Sequence, residues 1–331
     1  MKKLFKILKW TFISLASIIL LLFIYVQLRW DKTFEAPYPN IVASKDSAVI
    51  ARGKHLVYGP AHCGSCHIPM DKIAEAENGE MLPLSGGVEF VFPPGTLRPP
   101  NLTPDKETGI GRFTDGEIAR TMRYMVGSDG RCVFPLMPFA ELSDEDLTAI
   151  ISFLRSQDPV KHEVKKSEYT FLGKAVLTFG LVKPEGTKGN PPKSMRPDST
   201  AEYGKYLANY VANCVGCHTA RDLKTGKFIG EPFAGGLIFG PDGMTKYKTF
   251  ISPNLTPEVN TGLIAEWSET KFIDRFKQGR VHDGTPMPWG SFTHMDEIEL
   301  KALYRYLHSL KPVNNKIEKV VYVVGEQMAE K

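Results

Sequence analysis

The chain has 331 residues, enough for two or three ordinary domains, with 42% apolar and 24% charged side chains. Its 29 glycines and 24 prolines announce many loops. The formal net charge of +4 is misleading: Lys2, Lys3, Lys6, Lys9 and Arg29 put +5 in the first thirty residues, leaving −1 for the remainder, which excludes a basic nucleic-acid-binding surface.

Residues 1–9 form a basic tail, followed by an uncharged run over 10–28, "WTFISLASIILLLFIYVQL". Nineteen residues at about 1.5 Å each suffice for a bilayer's hydrocarbon layer. The positive flank predicts a cytoplasmic N-terminus and an exported remainder. A cleaved signal peptide is the alternative, but "RWDKTFEAPYP" after Leu28 offers no A-x-A-like cleavage site, so a retained anchor is expected. Residues 29–46 read as a linker.

The stretch Cys63-Gly64-Ser65-Cys66-His67 returns 151 positions later as Cys214-Val215-Gly216-Cys217-His218, and these motifs hold four of the five cysteines. The repeat extends far beyond them. "RGKHLV" from Arg52 matches "YGKYLA" from Tyr203, "SGGVEF" from Ser85 matches "AGGLIF" from Ala234, and "NLTPDKETGIG" from Asn101 matches "NLTPEVNTGLI" from Asn254. "PLMPF" from Pro135 then pairs with "TPMPW" from Thr285, and each copy closes on a similar helical pattern, 144–156 and 296–309. Two copies are too few for a solenoid, so a whole domain is duplicated, over 47–156 and 200–310.

Within each copy, helices are predicted to lead into the motif over 47–57 and 201–212. Thr114 and Ser268 are positioned to cap later helices over 114–126 and 268–278. The GG-x-x-F segments read as short hairpins in loops. Residues 157–199 form a Lys-, Pro- and Gly-rich interdomain linker containing "YTFLGKAVLTFGLV" over 169–182, too short to span a membrane. That segment either lies on a membrane surface or packs between the domains; packing is the expectation. A tail over 311–331 completes the chain.

A C-x-x-C pair serves zinc, dithiol redox chemistry or haem attachment. Zinc wants four ligands from pairs close together, and these pairs sit in separate copies. A thioredoxin-like switch expects a βαβ context that is absent, and it gives the following histidine no role. Haem attachment uses every residue: two thiols add to the porphyrin vinyl groups and the histidine lies under the iron. Cys63, Cys66 and His67 would therefore hold one haem, and Cys214, Cys217 and His218 a second.

For the opposite axial position, Met122, Met125, Met137, Met287 and Met295 are available. Only Met137 and Met287 match between copies, each preceding a proline in a loop whose backbone is thereby restricted. The metal ligands expected are His67, Met137, His218 and Met287.

With these motifs in place, the chain resembles the dihaem cytochrome c family. It is similar in particular to the cytochrome c subunits of bacterial membrane-bound alcohol, aldehyde and sugar-acid dehydrogenases. Many members carry three haem motifs, and this chain carries two. The resemblance implies a mainly α fold: two tandem cytochrome c-like helical domains with short β-hairpins in loops, behind one N-terminal transmembrane helix. It also implies two covalently attached haem c groups and no catalytic residues of its own. The expected role is electron transfer, with a periplasmic dehydrogenase as donor and a terminal oxidase or soluble cytochrome as acceptor. The expected location is the bacterial inner membrane, with the haem domains in the periplasm. A dihaem peroxidase with one open haem, and a fixed dihaem subunit of a haem–copper oxidase, are the competing readings.

Several residues have plainer readings. Cys132 reads as a small buried hydrophobe. His55, His62, His162, His282, His294 and His308 do not recur between copies and are read as non-ligands. Asn101, Thr103, Asn254 and Thr256 either donate to a haem propionate or shape the turns before Pro104 and Pro257.

Overall fold

A computed structural model describes residues 2–137, 139–222, 225–323 and 325–326. Helix α1 (Lys2–Arg29) runs 28 residues, about 42 Å at 1.5 Å per residue, and is long and apolar enough to cross a membrane. Val26, at its C-terminal end, is its buried residue.

The first copy contains α2 (Ser47–Tyr58), α3 (Ile73–Glu77), the hairpin β1 (Phe90–Phe92) and β2 (Gly95–Leu97), then α4 (Asp115–Tyr124) and α5 (Asp144–Ser156). Strand β3 (Glu168–Tyr169) and helix α6 (Phe171–Thr178) follow. The second contains α7 (Ala201–Tyr206), prolonged by a π turn over Leu207–Val211, and α8 (Cys214–Cys217). It continues with β4 (Ile238–Phe239), β5 (Thr249–Ile251), α9 (Glu269–Lys277), α10 (Trp289–Phe292), α11 (Glu297–His308) and β6 (Val321–Tyr322). The caps expected from sequence form. Thr114 and Glu117 make a reciprocal capping box on α4, and the Ser268 hydroxyl accepts from Lys271 N on α9.

Each copy is built on the crossing of its first and last helices, and glycine decides how close they come. A Cβ at Gly53 of α2 would lie 1.9 Å from the Ala149 carbonyl oxygen of α5. A Cβ at Gly204 of α7 would lie 1.9 Å from the Ala302 carbonyl oxygen of α11. Leu56, Val57, Leu147, Ile150 and Ile151 are buried around the first crossing, and Leu207, Leu300 and Leu303 around the second. Ridges pack tightly only where a bare backbone lets the axes approach.

Each hairpin gains a third antiparallel strand from beyond the closing helix, in the order β1-β2-β3 and β4-β5-β6. Residues 157–169 are thus integrated with the first copy rather than leaving it at Ser156. Asn101 and Thr103 bond the Val160 backbone, as Asn254 and Thr256 bond that of Val313. The 169–182 segment departs from expectation. Its helix α6 packs on α1 and on the Pro93–Pro94 turn, not between the two domains, because Gly173 is shaped for that turn: a Cβ there would sit 1.9 Å from Pro94 O.

Among the described residues the domains meet at two patches. At the first contact, Arg52 of α2 bonds Asp146 of its own domain at 3.0 Å and reaches Tyr203 (3.0 Å) and Glu299 (3.4 Å) of the other. His55 pairs with Glu299 at 2.8 Å, and the Tyr206 hydroxyl donates to Asp146 at 2.8 Å. Arg52 and Tyr203, His55 and Tyr206, and Asp146 and Glu299 are the same repeat positions, so one surface meets its own copy. At the second contact, the first motif's turn and α3 press on α10. Ser65 Oγ lies 3.1 Å from Ser291 Oγ, His294 Nε2 donates to Gly79 O at 2.7 Å, and His62 stands edge-on to Phe292.

Candidate haem-binding sites

The two cysteine motifs sit on single tight turns that follow a left-handed residue, His62 at φ 42° and Asn213 at φ 51°. His67 N bonds Cys63 O at 3.0 Å and His218 N bonds Cys214 O at 2.8 Å, closing one helical turn around each motif. That turn sets both cysteines and the following histidine on one loop of backbone in each copy. None of the five cysteines is in a disulfide.

Both histidines are buried and held the same way. His67 Nδ1 lies 2.9 Å from Pro100 O, and His218 Nδ1 lies 3.1 Å from Pro253 O. A carbonyl only accepts, so the proton sits on Nδ1 and the Nε2 lone pair is left for a metal. Burial pushes His67 down to about 4 and lowers His218 as well, which keeps both rings neutral at physiological pH. Glycine again makes the geometry possible. Gly86 (φ 74°) and Gly235 (φ 75°) donate their N–H groups to the His67 and His218 carbonyls. A Cβ on Gly86 would come within 2.6 Å of Pro100 O, and one on Gly235 within 2.5 Å of the Pro253 carbonyl carbon.

The thiols discriminate between the uses of a C-x-x-C pair. Burial pushes Cys63 and Cys214 up to about 12 and Cys66 to about 11, and it raises Cys217 too. A redox dithiol needs the opposite, a stabilised thiolate. Neutral thiols, half-buried at Cys63, Cys66 and Cys214 and exposed at Cys217, followed by a neutral, Nδ1-anchored imidazole fit a thioether-linked haem. Among the described residues, neither motif lies in a cluster of three or more potential metal ligands, which leaves a four-ligand zinc knuckle without its partners.

Met137 and Met287 occupy equivalent loops, partly buried and packed against the apolar core. Each begins a short turn in which its carbonyl accepts from an aromatic residue two positions on, Phe139 at 3.0 Å and Trp289 at 2.8 Å. The rival methionines Met122, Met125 and Met295 are at most 8% exposed and serve as core. Pro138, the residue after Met137, lies outside the described residues.

The segments following these methionines are tied down by cations that sequence comparison missed. Arg123 of α4 donates to Leu142 O at 2.6 Å and Ala140 O at 3.1 Å, and pairs with Asp144 at 2.7 Å. Lys277 of α9 donates to Thr293 O and Met295 O from the matching position. An arginine standing for a lysine hides the equivalence from residue matching.

Asn101 and Asn254 are wholly engaged in loop construction. Each accepts from the backbone N–H and hydroxyl of a threonine two residues on, and each donates to a second threonine and to a backbone carbonyl. Turn building is therefore their role. Cys132 is half-buried, bonded to Val133 O at 3.3 Å, with its thiol pushed up to about 11 by burial.

The cytochrome c family model matches this chain twice, over residues 50–158 and 201–311. The chain belongs to the cytochrome c family. Each of its two cytochrome domains carries one covalently bound haem c, in agreement with 27% identity over 233 residues to a "Diheme cytochrome c-type" protein of Cereibacter sphaeroides (67% of this chain, 73% of that one). The chain is also similar to the "Alcohol dehydrogenase (quinone), cytochrome c subunit" of Gluconobacter oxydans, at 31% identity over 284 residues, covering 81% of this chain and 56% of the relative. It is 27% identical over 316 residues to a subunit of nicotinate dehydrogenase from Pseudomonas putida, covering 92% of this chain and 25% of that protein. It thus spans a quarter to a little over half of these two longer relatives.

Proposed function

We propose that this is a membrane-anchored dihaem cytochrome that takes single electrons from an extracytoplasmic dehydrogenase and delivers them to a terminal oxidase or a soluble cytochrome. The observation that carries this reading is the duplicated histidine anchor: in both domains a buried neutral imidazole gives Nδ1–H to a proline carbonyl and keeps Nε2 for iron. Cys63 and Cys66, with Cys214 and Cys217, would make the thioether links; His67 and His218 would be proximal ligands, and Met137 and Met287 the distal ones. When bound, each haem supplies reversible one-electron exchange at iron.

The protein's own part is to hold both ligands of each site in place and keep other molecules out. Pro135, Pro286 and Pro288 stiffen the methionine loops, Arg123 and Lys277 fix their far ends, and the Phe139 and Trp289 N–H groups donate to the methionine carbonyls. The matched methionine loops in both copies support a carrier over a peroxidase, which needs an open iron position. The Ser65–Ser291 contact joins the first attachment turn to the helix following Met287, so the two sites form one unit. Helix α1 supports anchoring in the cytoplasmic membrane, with Lys2 to Lys9 inside and the cytochrome domains outside. Relatives named as dehydrogenase subunits support a dehydrogenase donor.

Optical and EPR spectra of the oxidised and reduced protein, with and without carbon monoxide, test this directly. Two low-spin haems indifferent to carbon monoxide are expected. A high-spin or carbon monoxide-binding haem in the native protein would overturn the carrier assignment.

A further inference from the structure

Helix α6 has eight residues, "FLGKAVLT", and no acid. Phe171 stacks on Phe23 of α1 with ring centroids 5.1 Å apart, and Phe179, just past the helix end, meets Tyr25 at 6.4 Å. Along α6 those two positions are about 12 Å apart, whereas their partners on α1 are separated by about 3 Å. The two helices therefore cross steeply. An α1 that stands across a bilayer lays α6 along its surface.

The depth of the crossing is set by the partners. They are Phe23, Tyr25, Val26 and Gln27, at the end of the apolar run, with Trp30 immediately beyond. Trp30 meets Tyr169, and Lys174 bonds Gln27 at 2.7 Å with its ammonium over the Trp30 ring. Tyrosine, tryptophan and lysine gathered at the end of an apolar helix mark the membrane–water boundary. The Lys32 ammonium donates to the Thr178 carbonyl at the end of α6, so Lys174 and Lys32 are both spent in the seam between α6, α1 and the linker. What α6 and the following turn present outward is Phe171, Leu172, Phe179 and Leu181, between 45% and 68% exposed. This uncharged face runs on into the exposed apolar surface of α1 at Phe23 and Tyr25.

We propose that α6 is a second membrane contact, an interfacial helix whose Phe171, Leu172, Phe179 and Leu181 enter the outer leaflet beside the anchor. The inference rests on reading α1 as a membrane anchor. Lipid is the occupant because this face is continuous with the α1 surface that lipid must cover. The foot is rigidly joined to the first cytochrome domain. Gly173 packs on Pro94, Thr170 bonds both Pro93 and Pro94, and Phe92 of the same hairpin contacts Phe134, three residues before Met137. The first domain is thereby seated on the membrane, with its hairpin and methionine loop on the side of the foot.

The test uses the full-length haem-loaded protein in lipid nanodiscs with no other protein, in a Cys132→Ser background so that a nitroxide reacts only at an introduced thiol. Labels are placed singly by Leu172→Cys, Leu181→Cys, Leu21→Cys within the anchor and Val259→Cys, an exposed apolar residue of the second domain. At 172 and 181 relaxation is expected to shift from a water-soluble nickel chelate to dissolved oxygen, as at 21 and opposite to 259. Labels at 172 and 181 that behave like 259 while 21 remains in lipid would overturn the foot and leave the anchor standing. A water-exposed label at 21 would overturn the anchor reading, and the foot with it. An unchanged haem spectrum in each variant certifies the fold.

Discussion

At the scale of single residues, the cations behind the methionine loops separate ligand geometry from mere packing. Arg123 is 3% exposed and satisfies two backbone carbonyls and a carboxylate, while Lys277 reaches its two carbonyls from a more exposed position. Removing a buried donor leaves its acceptors desolvated and unpaired, at about 1–3 kcal/mol. Arg123→Ala is therefore expected to cost about 3 kcal/mol in thermal or denaturant unfolding, and Lys277→Ala about 1 kcal/mol. A stability change alone would not single out a positioning role. The added expectation is that Arg123→Ala produces high-spin EPR signal and carbon monoxide binding at the first haem only, and Lys277→Ala at the second only. Arg123→Lys, which keeps the charge with fewer donors, should recover part of the low-spin signal. Low-spin spectra in both alanine variants would show that the methionine loops hold without these ties.

Among secondary elements, the glycine crossings bear most of the fold. Gly53→Ala drives a methyl into the Ala149 carbonyl, and Gly204→Ala does the same at Ala302, so the paired helices must separate. Overpacking of this kind costs about 1–3 kcal/mol, and the bare-backbone contact places both at the upper end. Ordinary Gly-to-Ala propensity would predict the reverse, a gain of about 1 kcal/mol for a residue in a helix. Denaturant midpoints of the two variants decide between these signs. The glycines sit inside the repeated G-K-x-L pattern, so the duplication, its helices, caps and hairpins were legible from matched residues. The third strands were not. Glu168–Tyr169 and Val321–Tyr322 are two residues each, too short for any periodicity, and the match between them is thin: a shared K-x-x-Y ending at Tyr169 and Tyr322. Helix α6 was legible as an apolar stretch, but its place beside α1 depends on Gly173 meeting a turn eighty residues earlier in the chain. Of the haem sites, the cysteine–histidine motifs and the matched methionines proposed as ligands stand out in the sequence by spacing. Their fixing could not, because the proline carbonyls that bond the histidines belong to backbone, which sequence identity does not mark.

For the whole molecule, the interface between the domains is a polar cluster whose charge depends on pH. Burial works against a charged His55, but the hydrogen bond and charge of Glu299 outweigh it, with help from Asp296 and against Arg52, so its pKa lies above the usual 6.5. Burial likewise works against a charged Glu299, yet His55 and Arg52 outweigh it and its pKa lies below the usual 4.5. A histidine raised on folding contributes stability that is complete below its unfolded pKa and disappears as pH climbs through the folded value. A depressed carboxylate contributes stability present above its unfolded pKa and lost as pH falls through the folded one. The His55–Glu299 pair should therefore favour domain docking most between about pH 4.5 and 6.5, and weaken on the alkaline side first. Other groups titrate too, and burial lowers His67 and His218, so the useful quantity is the difference between the native protein and His55→Ala. Thermal unfolding of both from pH 5 to 9 should give melting temperatures that differ most at the acid end and converge as pH rises. Arg52 still faces Glu299 in the variant, so the carboxylate keeps one cation and the domains stay docked. A gap that stays constant across this range would mean that His55 holds the interface by shape and a neutral hydrogen bond, without its charge.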